Sequence, residues 1–363
     1  MTGTVITGFG VLSAAAVGAG PLVAAVAPIG HGAAAAPPTT AVDWYAEPLP
    51  APAAAVVEGL DFTALLGRKG TSTFDRATGL AVVACGQALS DSGLAVSDET
   101  RQRIGITLGT TLGSLRSTSD FSRETLVQDK PYLVNPMLFP NTVMNCAAGQ
   151  AAIRFGLKGV NATVAGGALG FLGALRYSTN ALRAGYADAV LTGSVEEYTP
   201  HSAWAAHHAP GAVPGVPTGE GAAVCVVERA EAARAAGRHV DAEVLAATAG
   251  FAAAADAWPD ALAGCVRRAL AAAGAAPAQV TLVVTADPAE ITAVAAALDG
   301  SRCQTLAVRE VFGECQAASG ALQAATVLAV HRGDPARDGQ LALVTGHTPD
   351  GAVGAALLRG WSR

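Results

Sequence analysis

Six cysteines and seven histidines are the residues of this chain best suited to act as nucleophiles, bases or metal ligands. A reactive thiolate needs a cation or a histidine beside it, and a zinc site needs several ligands at short spacings. Neither pattern occurs. Cys85, Cys146, Cys225, Cys265, Cys303 and Cys315 are scattered without a C-x-x-C pair, each in an apolar or helical context, which reads as buried thiols in a reducing compartment. Cys146 and Cys315 have no neighbouring histidine, and Cys315 follows Glu314, whose charge suppresses a thiolate. His207 and His208 adjoin, but neighbours on a regular element point apart, so no metal is expected. Glu196, Glu197 and Glu314 could serve acid/base chemistry, yet no spacing brings two of them to one substrate. Solvated faces, or salt bridges across a dimer, are expected for them instead.

The elements that must position such groups are built from small apolar residues. The chain has 363 residues, 51% apolar, 14% charged and 5% aromatic, with 42 glycines, so one large or two fused α/β units packed at close backbone distances are expected. So few charges imply that much of the surface is hidden against a partner. A net charge of −6 and no Lys/Arg cluster interleaved with aromatics exclude a nucleic-acid partner. Residues 11–40 are uncharged, but no Lys or Arg precedes them and Pro21 and Pro28 interrupt them. They therefore read as neither a signal peptide nor a membrane span, and a soluble cytoplasmic protein is expected.

Along the chain, TVITGFGVLS reads as a buried strand stopped by Gly8 and Gly10, and residues 34–58 as an irregular surface excursion. Asp75 stands as N-cap of a long buried helix over DRATGLAVVACGQALSDSGL. RIGITLGTTLGS, NATVAG, ADAVLTGSVE and GAAVCVVE read as strands separated by helical segments. From residue 241 the same grammar returns through AEVLAATAG, VTLVVTAD, LALVTGH and GAVGAALL, with helices between. Such alternation predicts a layered α/β fold, and its recurrence predicts an internal duplication with halves at 1–240 and 241–363.

Five segments in order resemble the β-ketoacyl synthases of the thiolase superfamily over nearly the whole chain: VITGFGVLS, GQAAIRFGLKGVNATVAGGALG, RAGYADAVLTGSVEE, PTGEGAAVCVVE and FGECQAASGALQAATVL. The resemblance implies an α/β thiolase-like fold, two fused pseudo-symmetric βαβαβαββ halves in five αβαβα layers, and a pseudo-symmetric dimer. It also implies a Cys nucleophile that holds the acyl chain and two His residues that drive decarboxylation and stabilise the oxyanion. At the nucleophile position this chain has Ala168, whose methyl group cannot form a thioester. Asp287 stands in Ala286-Asp287-Pro288-Ala289 where the resemblance implies an Ala-His-Gly-Thr turn, and Glu314 follows Gly313 where it implies the second histidine. Acceptor-only anions there would repel the enolate or oxyanion. Arg309 stands for the family's lysine.

An erased site on an intact scaffold resembles the chain-length factors of type II polyketide synthases. That resemblance implies a non-catalytic subunit that heterodimerises with a catalytic ketosynthase, meets acyl carrier protein through the complex, and needs no cofactor. A short second half points to a divergent branch, such as the factors serving highly reducing, polyene-type systems. Two features depart from the pattern: Ala168 stands where those factors often carry Gln, and the turn in GHTPDGAVGAALL lacks its usual Phe. The resemblance places Leu115, Thr118, Phe121 and Ser122 on a tunnel-lining helix; helical spacing puts the first two and Ser122 on one stripe, with Phe121 at its border. It also makes Asn135, Met137, Phe139 and Met144 an interface loop. The alternative is a diverged thiolase-fold enzyme, a decarboxylase or acyltransferase, with a rebuilt active site using Asp287, Glu314 or a relocated Cys.

Overall fold

The computed structural model describes residues 3–30, 36–209 and 215–363. Its strands are β1 (Thr4–Ser13), β2 (Thr40–Ala41), β3 (Ala53–Ala54), β4 (Ile104–Thr110), β5 (Asn161–Ala165), β6 (Ala189–Glu196), β7 (Gly221–Arg229), β8 (Ala242–Phe251), β9 (Val280–Thr285), β10 (Gln304–Ala307), β11 (Leu341–His347) and β12 (Ala352–Gly360). Its α-helices are α1 (Ala19–Gly30), α2 (Phe62–Leu66), α3 (Arg76–Ser92), α4 (Leu115–Val127), α5 (Cys146–Phe155), α6 (Gly170–Arg183), α7 (Pro200–His208), α8 (Ala230–Ala235), α9 (Trp258–Ala273), α10 (Glu290–Ala297), α11 (Arg309–Phe312) and α12 (Ala318–Arg332). None of the described helices is long and apolar enough to cross a membrane.

Ten strands form one mixed sheet in the order β10-β9-β11-β12-β8-β1-β7-β6-β4-β5, and β2 with β3 forms a separate small ladder. In the first half β4 runs parallel to β5 and β6, while β7 is antiparallel to β6 and β1. The second half repeats this with β9 parallel to β10 and β11, and β12 antiparallel to β11 and β8. The halves join where β1 pairs with β8 over Thr4–Ile6. We propose the division at 240 and 241, between α8 and β8, which leaves five strands of the sheet on each side.

Three apolar cores turn this sheet into layers. The middle core packs α6 and α12 between the inner faces of both halves, with Phe171, Leu175, Leu322 and Val327 meeting Phe9, Cys225, Val284 and Val344. A second packs α3 and α5 on the outer face of the first half, and a third packs α9 and α10 on the outer face of the second. Helix, sheet, helix, sheet, helix is the five-layer arrangement expected from the resemblance. The N-cap at Asp75 also forms, its carboxylate accepting the Thr78 N–H at 2.8 Å.

Some expectations differ from the structure. Gly8 and Gly10 do not stop the first strand; they lie inside it because α3 passes so close. A Cβ at Gly8 would lie 2.4 Å from Ser92 N, and one at Gly10 would lie 2.2 Å from Ala84 O. Beyond Ile6 the strand is no longer paired with β8, and side chains of α3 take over: Asp91 accepts from Phe9 N–H and Gln87 from Val11 N–H, both at 2.9 Å. In the excursion, residues 34 and 35 lie outside the described residues, but Val42 and Ala54–Val57 are buried rather than at the surface. The short strand β10 carried too brief a pattern to be read.

Candidate functional site: a cavity beside the strand-to-helix elbow

A strand-to-helix elbow positions Ala168. Strand β5 ends at Ala165, a tight turn spans Gly167–Leu169, and α6 starts at Gly170. The elbow crosses β4 at contact distance, a Cβ on Gly109 falling 2.4 Å from the Gly170 carbonyl carbon. Only glycine fits there. Asp287 lies in the turn after β9, its Oδ1 accepting the Ala289 N–H at 2.8 Å. Glu314 follows α11, its Oε1 accepting the Gln316 N–H at 3.1 Å.

Ala168, Asp287 and Glu314 line one cavity of about 1660 Å³. Its walls also include Leu169 of the elbow turn, Leu172 of α6, Tyr198, Pro217, Trp258 and His347. No cysteine is among its described lining residues. Arg309, at the start of α11, spans the two carboxylates: Nη1 donates to Asp287 Oδ2 and Nη2 donates to Glu314 Oε2 at 2.5 Å. All three are partly buried, and a guanidinium fork holds the carboxylates as ion-pair partners rather than as free acids or bases. The relocated thiols fare no better. Cys315 is buried, donates to Phe312 O at 3.3 Å, and is pushed well above the usual thiol range by burial and the nearby glutamates. Cys146 is raised by burial too, and its thiol donates to Asn141 Oδ1 at 3.3 Å.

Glu196 and Glu197 are buried, which corrects the expectation of solvated faces or salt bridges across a dimer. Their oxygens accept local N–H and O–H groups: Thr111 N–H at 3.0 Å for Glu196, and Ser114 O–H at 3.1 Å and Arg116 N–H at 3.2 Å for Glu197. Burial pushes each up to about 7, the charge of Asp75 adding to the effect on Glu197. A carboxyl raised on folding contributes stability that is full below its ordinary value of 4.5 and lost as the pH rises through about 7. Glu196→Gln is therefore expected to make the urea midpoint fall less steeply between about pH 5 and 7.5, a slope measurable by fluorescence unfolding.

The α4 residues expected to line a tunnel and the loop expected at an interface are not among the described walls of this cavity. Leu115, Thr118 and Phe121 are half-buried on α4 and Ser122 is exposed. The Phe121 and Phe139 rings meet at 5.7 Å, which joins stripe to loop. Asn135, Met137, Phe139 and Met144 are all exposed. Leu112, Leu126, Tyr132 and Ile153 in the same stretch of chain are exposed too, and α5, which carries Ile153, packs on the edge strand β5. The sequence reading missed Glu290, Trp258 and His347 in the cavity wall, which lie far apart in the chain and share no local spacing.

A five-layered α/β fold with a strand-to-helix elbow and two flanking turns frames this cavity. The chain belongs to the β-ketoacyl synthase family: it matches the N-terminal domain of that family over residues 2–233 and the C-terminal domain over residues 241–334. It is 31% identical over 198 residues to 3-oxoacyl-[acyl-carrier-protein] synthase 2 of Staphylococcus aureus (strain N315), covering 50% of this chain and 47% of that protein. The chain thus spans about half the length of the curated relatives it matches. Among solved structures, "The ishigamide ketosynthase/chain length factor" aligns over 99% of this chain and 100% of that one, with TM-score 0.86 and 33% identity. A type II polyketide synthase ketosynthase in complex with its acyl-carrier protein, AntDE:AntF, shares the fold at TM-score 0.81 and 19% identity over 99% of each chain.

Proposed function

We propose that this chain is a chain-length factor, non-catalytic in condensation, that pairs with a catalytic ketosynthase and shapes the tunnel for a carrier-bound polyketide. The elongation it serves is decarboxylative Claisen condensation, in a system of the highly reducing, polyene type. One observation carries the reading: the described walls of the cavity hold no cysteine, and the two carboxylates of Asp287 and Glu314 there are locked on Arg309, whereas condensation needs a thiol and two imidazoles. The likeness to a ketosynthase/chain length factor over the full chain supports it. So does the unpaired outer side of β5 beside an apolar face, since an open edge and a large apolar patch are the marks of a surface a partner covers. In this reading Asn135, Met137, Phe139 and Met144 meet the partner, and the Leu115 stripe closes the shared tunnel.

Side-chain volume at the stripe tests the length-setting part. Leu115→Trp is expected to shorten the longest product of the assembled complex and Phe121→Ala to lengthen it, read by mass spectrometry of released chains. An unchanged product distribution in both variants would remove the stripe from the tunnel wall.

A further inference from the structure

The cavity holds a second polar constellation that the erased site does not explain. Glu290, at the start of α10, is fully buried and accepts the Thr345 O–H at 2.7 Å. Its other oxygen lies 2.9 Å from Nδ1 of His347, at the end of β11. The imidazole stacks on Trp258, with ring centroids 4.0 Å apart and planes 12° apart. These contacts fix the ring and use Nδ1, while Nε2 has no protein partner among the described residues and His347 lines the cavity. The strand end that carries it packs on the elbow: a Cβ at Gly346 would lie 3.0 Å from Leu169 and 3.9 Å from the Ala168 carbonyl oxygen.

A carboxylate that fixes one ring nitrogen and frees the other is the arrangement of a general base. Beside an elbow that has lost its thiol, the nucleophile such a base can activate is water. We propose that His347 and Glu290 hydrolyse acyl thioesters of the pantetheine type in this cavity, an activity separate from condensation. It rests on the reading that acyl thioesters are the substrates of this complex. Nε2 of His347 takes a proton from water as the water oxygen bonds to the thioester carbonyl carbon. The C–S bond then breaks, the sulfur takes that proton, and the products are a carboxylic acid and a free thiol. Glu290 is a positioning residue, holding the Nδ1–H tautomer and balancing the imidazolium that forms. Asp287 and Glu314, committed to Arg309, take no part.

The test uses the purified full chain with acyl-pantetheine thioesters in ¹⁸O-labelled water, following thiol release with a chromogenic disulfide and the acid by mass spectrometry. Wild type is expected to release thiol and place one ¹⁸O in the acid. His347→Asn and His347→Gln are expected to lower kcat about 100-fold or more. Glu290→Gln is expected to lower kcat at unchanged KM, a split that a merely structural role would not produce. Circular dichroism establishes that each variant is folded. Thiol release no faster than in buffer, or a rate unchanged in the folded His347 variant, would overturn the dyad. Pairing with a ketosynthase is read separately from the mass of the complex, so this inference can fail while that one stands.

Discussion

Arg332→Ala is expected to lower the free energy of unfolding by about 3–5 kcal/mol, the effect of removing one partner from a buried ion pair. Arg332 sits at the end of α12 between two carboxylates, its Nη2 donating to Asp241 Oδ2 at 2.6 Å and to Asp91 Oδ2 at 2.8 Å. Asp241 is fully buried, and among the described residues Arg363 and the half-exposed His239 would be the ion-pair partners left to it. The guanidinium also covers the Phe9 ring at 4.4 Å. The cluster ties α3 and β1 of the first half to β8 and α12 of the second, so its loss loosens the joint between them. Burial alone would raise Asp91, but Arg332 and the Phe9 N–H outweigh it and hold the carboxyl below its ordinary 3.8. That contribution is full above 3.8 and lost as the pH falls through the lowered value, so the variant is also expected to lose part of its acid limb. Urea denaturation across pH measures both; a change under about 1 kcal/mol would place the cluster among weak surface pairs.

In the proposed pair, Phe139→Asp is expected to weaken association with the catalytic ketosynthase by about 2–4 kcal/mol, roughly 30- to 1000-fold in Kd, the size of effect that an aromatic hot spot at an interface shows. Phe139 is 56% exposed in the single chain, a large share for a phenyl ring already packed on Phe121. Of the large apolar side chains exposed among the described residues, ten fall between Leu112 and Ile153. That concentration in one stretch of the chain is what motivates the proposed interface. Phe251→Asp, at a residue 66% exposed in the second half, is the control and is expected to leave association unchanged. Analytical ultracentrifugation of the pair reads both, and equal effects would mean that the face is not the interface.

The fold was legible because strand and helix patterns alternate and recur after residue 241. Ala168, Asp287 and Glu314 could be singled out in the sequence because each sits at a turn next to a recognisable strand or helix. What joins them was not. Arg309 closing on both carboxylates depends on the turn after β9 and the start of α11 meeting in space, which no spacing in the chain encodes. Asp91, Asp241 and Arg332 are likewise brought together only by the joint between the two halves. The burial of Glu196 and Glu197 escaped notice because charge suggests solvent, whereas here backbone N–H groups and hydroxyls at the end of β6 satisfy them. Gly8 and Gly10 misled for a related reason: glycine in a strand signals a turn or a close neighbour, and the neighbour was α3.

The central claim is that this chain works as the non-condensing half of a ketosynthase pair. Co-expression with a catalytic ketosynthase from the same biosynthetic system, followed by native mass spectrometry and an elongation assay with either chain omitted, tests it most directly. The account predicts one copy of each chain in the complex and chain extension only when both are present. A homodimer of this chain that condenses malonyl and acyl thioesters unaided would contradict it.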